Sequence, residues 1–105
     1  KIKQISLPEE NRNKQRDYYL FPIGVNKKYR NKLIEHLLKN KTFVTVNFRS
    51  ISELNYYKKK YKKINCPKSE KWGKETISLP FHTKLKNKEI QKVCEQIKKF
   101  FIKNN

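Results

Sequence analysis

Arg49 and Asn47 are the residues whose types and spacing best suit ligand binding. They stand two positions apart in the stretch 44–49, where apolar and polar residues alternate as in a strand. Because side chains alternate across a strand, this spacing predicts that both side chains point the same way. Arg49 offers a planar fork for a carboxylate or a phosphate, and Asn47 can both donate and accept hydrogen bonds. The competing interpretation is that Arg49 is one more surface cation.

Other reactive side chains carry weaker signals. His82 follows Pro80 at a predicted strand end, where it could line the same cleft or simply face solvent. Ser78 has no nearby pair of His and Asp that would activate it as a nucleophile. Cys66 and Cys94 lie 28 positions apart without CxxC spacing. This pattern does not resemble a zinc site and favours reduced thiols, with Cys94 in the core.

The composition is strongly basic, with a net charge of +18 over 105 residues. One explanation is a polyanionic partner such as nucleic acid or an anionic membrane face. The other is compositional bias, because Lys, Asn and Ile, which have A/T-rich codons, supply 44 residues while Ala is absent. The second is favoured, since only 4 of the 27 cations are Arg, the residue that nucleic-acid sites prefer for reading sequence.

The periodicity predicts one small domain of class α+β. We expect a small, mostly antiparallel sheet of about three strands, covered on one face by the first and last helices. Residues 1–16 are predicted to be a linker and residues 17–105 the domain. The predicted elements are strands at 17–26, 44–49 and 77–79, helices at 27–40, 50–63 and 68–75, and a final helix capped by Asn87.

Two helices carry clear apolar stripes that should face the core. Asn26 is a suitable N-cap for the first helix, and Pro22 suggests that the preceding strand lies at an edge or contains a bulge. His36 is expected to be a half-buried packing residue, and the tyrosines after residue 55 a helix face. The first stripe is Tyr29, Leu33, Ile34, Leu37 and Leu38, and the last is Ile90, Val93, Cys94, Ile97 and Phe101.

The order of several short motifs resembles the C-terminal end of the DegT/DnrJ-type sugar aminotransferases, which are pyridoxal-phosphate enzymes of the aspartate-aminotransferase fold class. The resemblance covers most of the chain from about residue 17 onward, and the joint order is more specific than any single piece. Many family members have His at position 47 and Tyr at position 48, where this chain has Asn and Phe. The motifs are Val46-Asn47-Phe48-Arg49, Tyr56-Tyr57, Pro67-Lys68-Ser69-Glu70 and Thr76-Ile77-Ser78-Leu79-Pro80-Phe81.

The resemblance implies the small C-terminal domain of an enzyme that transfers an amino group, usually from glutamate, to a nucleotide-linked keto-sugar for polysaccharide or glycan synthesis. Pyridoxal phosphate, its Schiff-base lysine and its phosphate-binding residues would belong to a large N-terminal domain that this sequence lacks. The chain alone should then be inactive and bind no cofactor, and the complete enzyme is expected to be a homodimer. Asn47, Arg49 and His82 are the expected substrate-binding residues.

Two alternatives to the aminotransferase hypothesis belong to other classes. A small basic nucleic-acid-binding domain would place lysines and aromatic rings on one face, and its binding would weaken as salt rises. A non-catalytic interaction domain would use an exposed aromatic surface. No run of about 18 apolar residues is present, so no membrane partner is expected, and a cytoplasmic location is predicted.

Overall fold

The computed structural model describes residues 2–10, 13–15, 17–62 and 64–104, and it has the expected α+β architecture. Its three strands form one antiparallel sheet in the order β1-β2-β3. A 3₁₀-helix, Ile51–Glu53, lies between the first and second α-helices. The other elements are β1 (Ile5–Ser6), β2 (Phe21–Val25), α1 (Lys27–Lys39), α2 (Asn55–Lys60), α3 (Pro67–Glu75), β3 (Thr76–Leu79) and α4 (Asn87–Lys103).

The core lies where β2 and β3 meet α1 and α4. Ile23 pairs with Ile77 across the two strands, and both side chains are buried. The edge of the Tyr29 ring meets the Phe101 ring at 5.8 Å between centroids, which joins α1 to α4. The buried hydrophobic residues are Ile23, Val25, Leu33, Leu37, Ile77, Ile97, Phe100 and Phe101.

The first helix forms as its sequence predicts. Asn26 is the N-cap, and its side-chain oxygen accepts a hydrogen bond from the Lys28 N–H at 3.0 Å. His36 is half-buried as expected: its Nε2 lies 2.9 Å from the Gln96 carbonyl oxygen and its ring contacts Phe100. The prediction for Leu38 is wrong, because this side chain is exposed beyond the width of the packed stripe.

The apolar stripe of α4 is only half buried in this structure. Its C-terminal part packs as predicted, and Phe100, which the stripe did not include, joins it. Ile90 and Cys94 are exposed, so the placement of Cys94 in the core is wrong. The helix begins at Asn87 rather than being capped by it, because the Glu89 carboxylate accepts the Lys86 N–H at 2.7 Å and fixes the cap one residue earlier.

Two predictions about the sheet are corrected. β2 is the central strand of the sheet and not an edge strand. Pro22 is tolerated there because β1 pairs only with Gly24 and Val25, so no β1 residue lies opposite Pro22 to require a backbone N–H donor. The stretch 44–49 is not a strand, because it makes one bridge, between Thr45 and Ser78. β1 itself lies within the predicted linker, while the division of the chain at residue 16 stays a prediction.

Candidate functional site

Residues 47–53, hereafter the site segment, leave the sheet because they pack against helix α3. The approach is closest at Gly73, where a Cβ atom would lie 2.9 Å from the Ser50 nitrogen and 3.1 Å from the Phe48 carbonyl oxygen. Only a residue without a side chain permits this contact between backbones. The alternation of residues 44–49 therefore fails after Thr45, and the Phe48 side chain is 69% exposed instead of packed.

A line of hydroxyl groups ties the site segment to the first turn of α3. Ser69 Oγ donates to Ser50 Oγ at 3.0 Å, and Ser50 Oγ lies 2.8 Å from Ser52 Oγ. Ser52 Oγ then donates to Glu70 Oε1 at 2.7 Å. The same carboxylate oxygen accepts the Cys66 N–H at 3.4 Å, so Glu70 also serves the N-terminus of α3. The serines of the segment are almost fully buried, with exposures of 3% for Ser50 and 7% for Ser52.

Arg30 fixes the other end of α3. Its Nη1 donates to the carbonyl oxygens of Gly73 at 3.0 Å and Thr76 at 3.2 Å. These carbonyls lie where helix α3 ends and β3 begins, so a cation there also meets the negative end of the helix dipole. Partial burial lowers the pKa of Arg30. Helix α3 is thus held between α1 on one side and the site segment on the other.

A cavity of about 280 Å³ opens beside the site segment. Asn47 is the residue of the site segment that lines the cavity. Its Oδ1 accepts a hydrogen bond from Thr45 Oγ1 at 2.8 Å. Carboxylates supply other polar groups, from Glu10 and Asp17. Much of the wall is aromatic, from Tyr18, Tyr19, Phe21 and Trp72.

The three predicted substrate-binding residues do not converge on this cavity. Arg49 lies outside its wall, and its Nη2 donates to the Glu53 carbonyl oxygen at 3.2 Å, which leaves the exposed guanidinium open to solvent. His82 is exposed in the connection between β3 and α4 and is not part of the wall. The expected common direction of Asn47 and Arg49 depended on a strand that does not form. Their role in substrate binding stays a prediction.

The sequence profile of the DegT/DnrJ/EryC1/StrS aminotransferase family matches residues 1–98. The chain belongs to this family. The search of curated proteins gave no significant match. The resemblance to DegT-type aminotransferases is therefore confirmed.

Solved structures with this fold are also aminotransferases. TlmJ from Streptoalloteichus hindustanus superposes with a TM-score of 0.88 at 15% identity, over 99% of this chain and 28% of its own. PseC from Helicobacter pylori, an aminotransferase involved in pseudoaminic acid biosynthesis, superposes with a TM-score of 0.72 at 23% identity, over 80% of this chain and 24% of its own. Spr1654 from Streptococcus pneumoniae is assigned as a sugar aminotransferase and was solved in a PMP form. It superposes with a TM-score of 0.72 at 28% identity, over 80% of this chain and 22% of its own. The chain therefore spans about a quarter of the length of these enzymes.

The described residues do not by themselves fit pyridoxal phosphate, the cofactor implied by the DegT family. The cofactor requires a lysine that bonds to its aldehyde and donors for its phosphate. Among the residues that the structure describes, no lysine or arginine lines the cavity, and the charged groups that do, Glu10 and Asp17, are carboxylates that would repel a phosphate. We derive no chemical step through the cofactor from these residues.

Several residues of the site were not predicted individually. Ser50, Ser52, Glu70 and Gly73 hold the site segment, and the sequence pattern predicts this role for none of them. A glycine inside a helical pattern is a usable signal, because it costs helix stability and therefore suggests close packing. Over the described ranges, no three His, Cys, Asp or Glu side chains cluster as metal ligands. The same part of the chain has no helix long and apolar enough to cross a membrane.

An ion pair between Lys74 and Glu53 gives the site segment a pH dependence. Lys74 Nζ lies 2.8 Å from Glu53 Oε1, and this hydrogen bond lowers the pKa of Glu53 and raises that of Lys74. Because the pKa of Glu53 is depressed by folding, the pair stabilises the fold above the ordinary Glu pKa of about 4.3. That contribution is lost as the pH falls through the folded-state pKa.

We expect Lys74→Gln to raise the pKa of Glu53 toward its ordinary value. The measurement is an NMR titration of the Glu53 side-chain carboxyl carbon in both proteins. Lys71→Gln is the matched control, because Lys71 pairs with Glu75 at 3.7 Å on the same helix and does not meet Glu53. Equal Glu53 midpoints in the two variants would show that the Lys74 contact has no electrostatic effect in solution.

Proposed function

We propose that this chain is the C-terminal small domain of a pyridoxal-phosphate-dependent aminotransferase acting on a nucleotide-linked keto-sugar, with glutamate as amino donor. The observation that carries the proposal is the family match over residues 1–98, joined to the superposition of 99% of the chain on an aminotransferase. The sugar class is supported by Spr1654 and by PseC. The product would enter polysaccharide or glycan synthesis.

The chain's own part in this reaction is to bind and orient the substrate. The guanidinium of Arg49 keeps part of its fork free for the glutamate carboxylate or a phosphate of the sugar nucleotide. Asn47 lines the cavity and can hydrogen-bond a sugar hydroxyl or the cofactor, and His82 is a third, more distant candidate. When bound in the complete enzyme, the cofactor supplies the electron sink for amino transfer.

The proposal includes the assembly and location of the complete enzyme. The chain alone would be inactive, since the Schiff-base lysine would come from the remaining three quarters of the enzyme. That enzyme is proposed to be a cytoplasmic homodimer. The free thiols of Cys66 and Cys94 support a reducing compartment.

The test is an amino-transfer assay on the complete polypeptide encoded by the gene that contains this chain. With isotopically labelled glutamate and a panel of nucleotide keto-sugars, mass spectrometry should detect labelled amino-sugar nucleotide and an equal amount of 2-oxoglutarate. A polypeptide that binds no pyridoxal phosphate, or binds it and transfers nothing to any sugar nucleotide, would contradict the proposal.

We expect Arg49→Ala to raise the KM for glutamate or for the sugar nucleotide by about 10- to 100-fold. A charged hydrogen bond contributes about 1.5–3 kcal/mol, which corresponds to this range. Lys58→Ala removes a nearby exposed cation from α2 and serves as the control. If both variants have the same KM values as the parent enzyme, Arg49 is a surface cation and not a substrate ligand.

A further inference from the structure

The hydroxyl line between α3 and the site segment has only one possible direction of donation. A carboxylate has no proton to give, so the single hydroxyl proton of Ser52 must go to Glu70. Ser52 can then only accept from Ser50, and Ser50 in turn accepts from Ser69. Donation therefore runs from Ser69 through Ser50 and Ser52 and ends on the Glu70 carboxylate. Each hydroxyl polarises the next, which strengthens the line as a whole.

The line acts on the backbone that carries the candidate substrate residues. Ser50 follows Arg49 directly and is buried against α3, while Asn47 lies three positions earlier. The 3₁₀-helix that contains Ser52 is closed by two backbone hydrogen bonds, from Glu53 N–H to the Ser50 carbonyl at 3.0 Å and from Leu54 N–H to the Ile51 carbonyl at 3.1 Å. Without an acceptor at Glu70, the buried Ser50–Ser52 pair would have one hydroxyl proton that no group in the line accepts, and the segment would have to open for that proton to reach water.

We propose that Glu70 is a positioning residue, which acts through Ser52 and Ser50 to hold Asn47 and Arg49 in place for substrate. Glu70 itself does not line the cavity, and its carboxylate accepts hydrogen bonds from Ser52 and Cys66. Glu70 holds the segment through these hydrogen bonds, and its effect on substrate rests on the proposed aminotransferase function.

Hydrogen exchange on this chain tests whether Glu70 holds the site segment in place. In Glu70→Ala, the amides of Glu53 and Leu54 should exchange about tenfold faster, while those of Leu33 and Leu37 in α1 keep their rates. Glu70→Gln should stay close to the parent chain, because its amide oxygen still accepts from Ser52. Glu75→Ala removes a carboxylate from the same helix without touching the hydroxyl line and is the control. Equal exchange in Glu70→Ala and Glu75→Ala would overturn the proposal.

Ser52→Ala keeps the test decisive if Glu70→Ala does not fold. This variant removes the hydroxyl together with its need for an acceptor, so the core should persist while the line is cut. The Glu53 and Leu54 amides should again exchange faster. Unchanged exchange in Ser52→Ala would overturn the proposal on its own.

Kinetics of the complete polypeptide test whether Glu70 positions Asn47 and Arg49 for substrate binding. Glu70→Ala should raise the KM of the substrate that Arg49 binds by about tenfold and leave kcat within about threefold, and Glu70→Gln should restore KM. Faster exchange with an unchanged KM would overturn the link to substrate. If the complete polypeptide transfers no amino group at all, the proposed function fails, and the exchange data alone decide whether Glu70 holds the segment.

Discussion

Phe101→Ala should lower the free energy of unfolding by about 3–5 kcal/mol, because it removes a large buried ring from the core. The Phe101 ring is 4% exposed and meets the rings of Tyr29 and Phe100 with centroid distances of 5.8 and 5.1 Å. Its removal would leave a cavity between α1 and α4 that the packed neighbours cannot fill. Because a small domain has about 5–15 kcal/mol of stability, this loss could leave the chain largely unfolded.

The neighbouring residue gives a matched control for this prediction. Ile102 is 79% exposed, so Ile102→Ala should change stability by less than about 0.5 kcal/mol. Urea unfolding followed by circular dichroism measures both variants. If Phe101→Ala is already unfolded in water, Phe101→Leu should give a smaller, measurable loss. Equal midpoints for the Phe101 and Ile102 variants would contradict the packing of α4 against α1.

Gly73→Ala should destabilise the chain by about 1–3 kcal/mol, because the added methyl group meets backbone that cannot rotate away. The three nearest atoms belong to Ser50, Phe48 and Arg49, at 2.9, 3.1 and 3.2 Å from the new Cβ. Relief requires the site segment to move off α3, so backbone NMR shifts of residues 47–53 should change as well. If the proposed function holds, the same displacement should also weaken substrate binding by the complete polypeptide.

The sign of the Gly73→Ala effect makes the test sharp. In a helix without this close approach, replacing Gly by Ala stabilises by about 0.5–1 kcal/mol, because Gly has the lower helix propensity. Thermal unfolding should therefore show a decrease in Tm rather than an increase. Lys71→Ala, at an exposed position of the same helix, should have little effect. A higher Tm for Gly73→Ala would mean that the site segment does not pack on α3 as described.

Helix α1 and the C-terminal half of α4 could be predicted because their apolar spacing and their burial agree. Leu33, Leu37 and Ile97 recur at helical intervals, and each is buried in the core cluster. The same pattern overstated the core at Ile90 and Cys94, since α4 extends past the surface that covers it. Periodicity shows which face is apolar, but it does not show how far along the helix a neighbouring element reaches.

The site segment could not be predicted because its conformation depends on contacts distant in sequence. Alternation at residues 44–49 is a genuine strand pattern, and Thr45 does pair with Ser78. After that one pair, the contact with Gly73 and the hydroxyl line to Glu70 decide the path of the chain. Such tertiary contacts override strand propensity, and no local pattern reports them.

The ring of His36 contacts the carbonyl oxygen of Gln96, 60 positions further along the chain. At about 5–20 residues per second, translation of the residues between them takes roughly 3–12 s, and α4 is not yet available to cover α1 during that time. Throughout that interval Leu33 and Leu37 lack their partners Ile97, Phe100 and Phe101. The emerging polypeptide then exposes an apolar face to the cell, a face suited to chaperones that hold nascent chains. The core around the first helix is therefore completed several seconds after that helix has been synthesised.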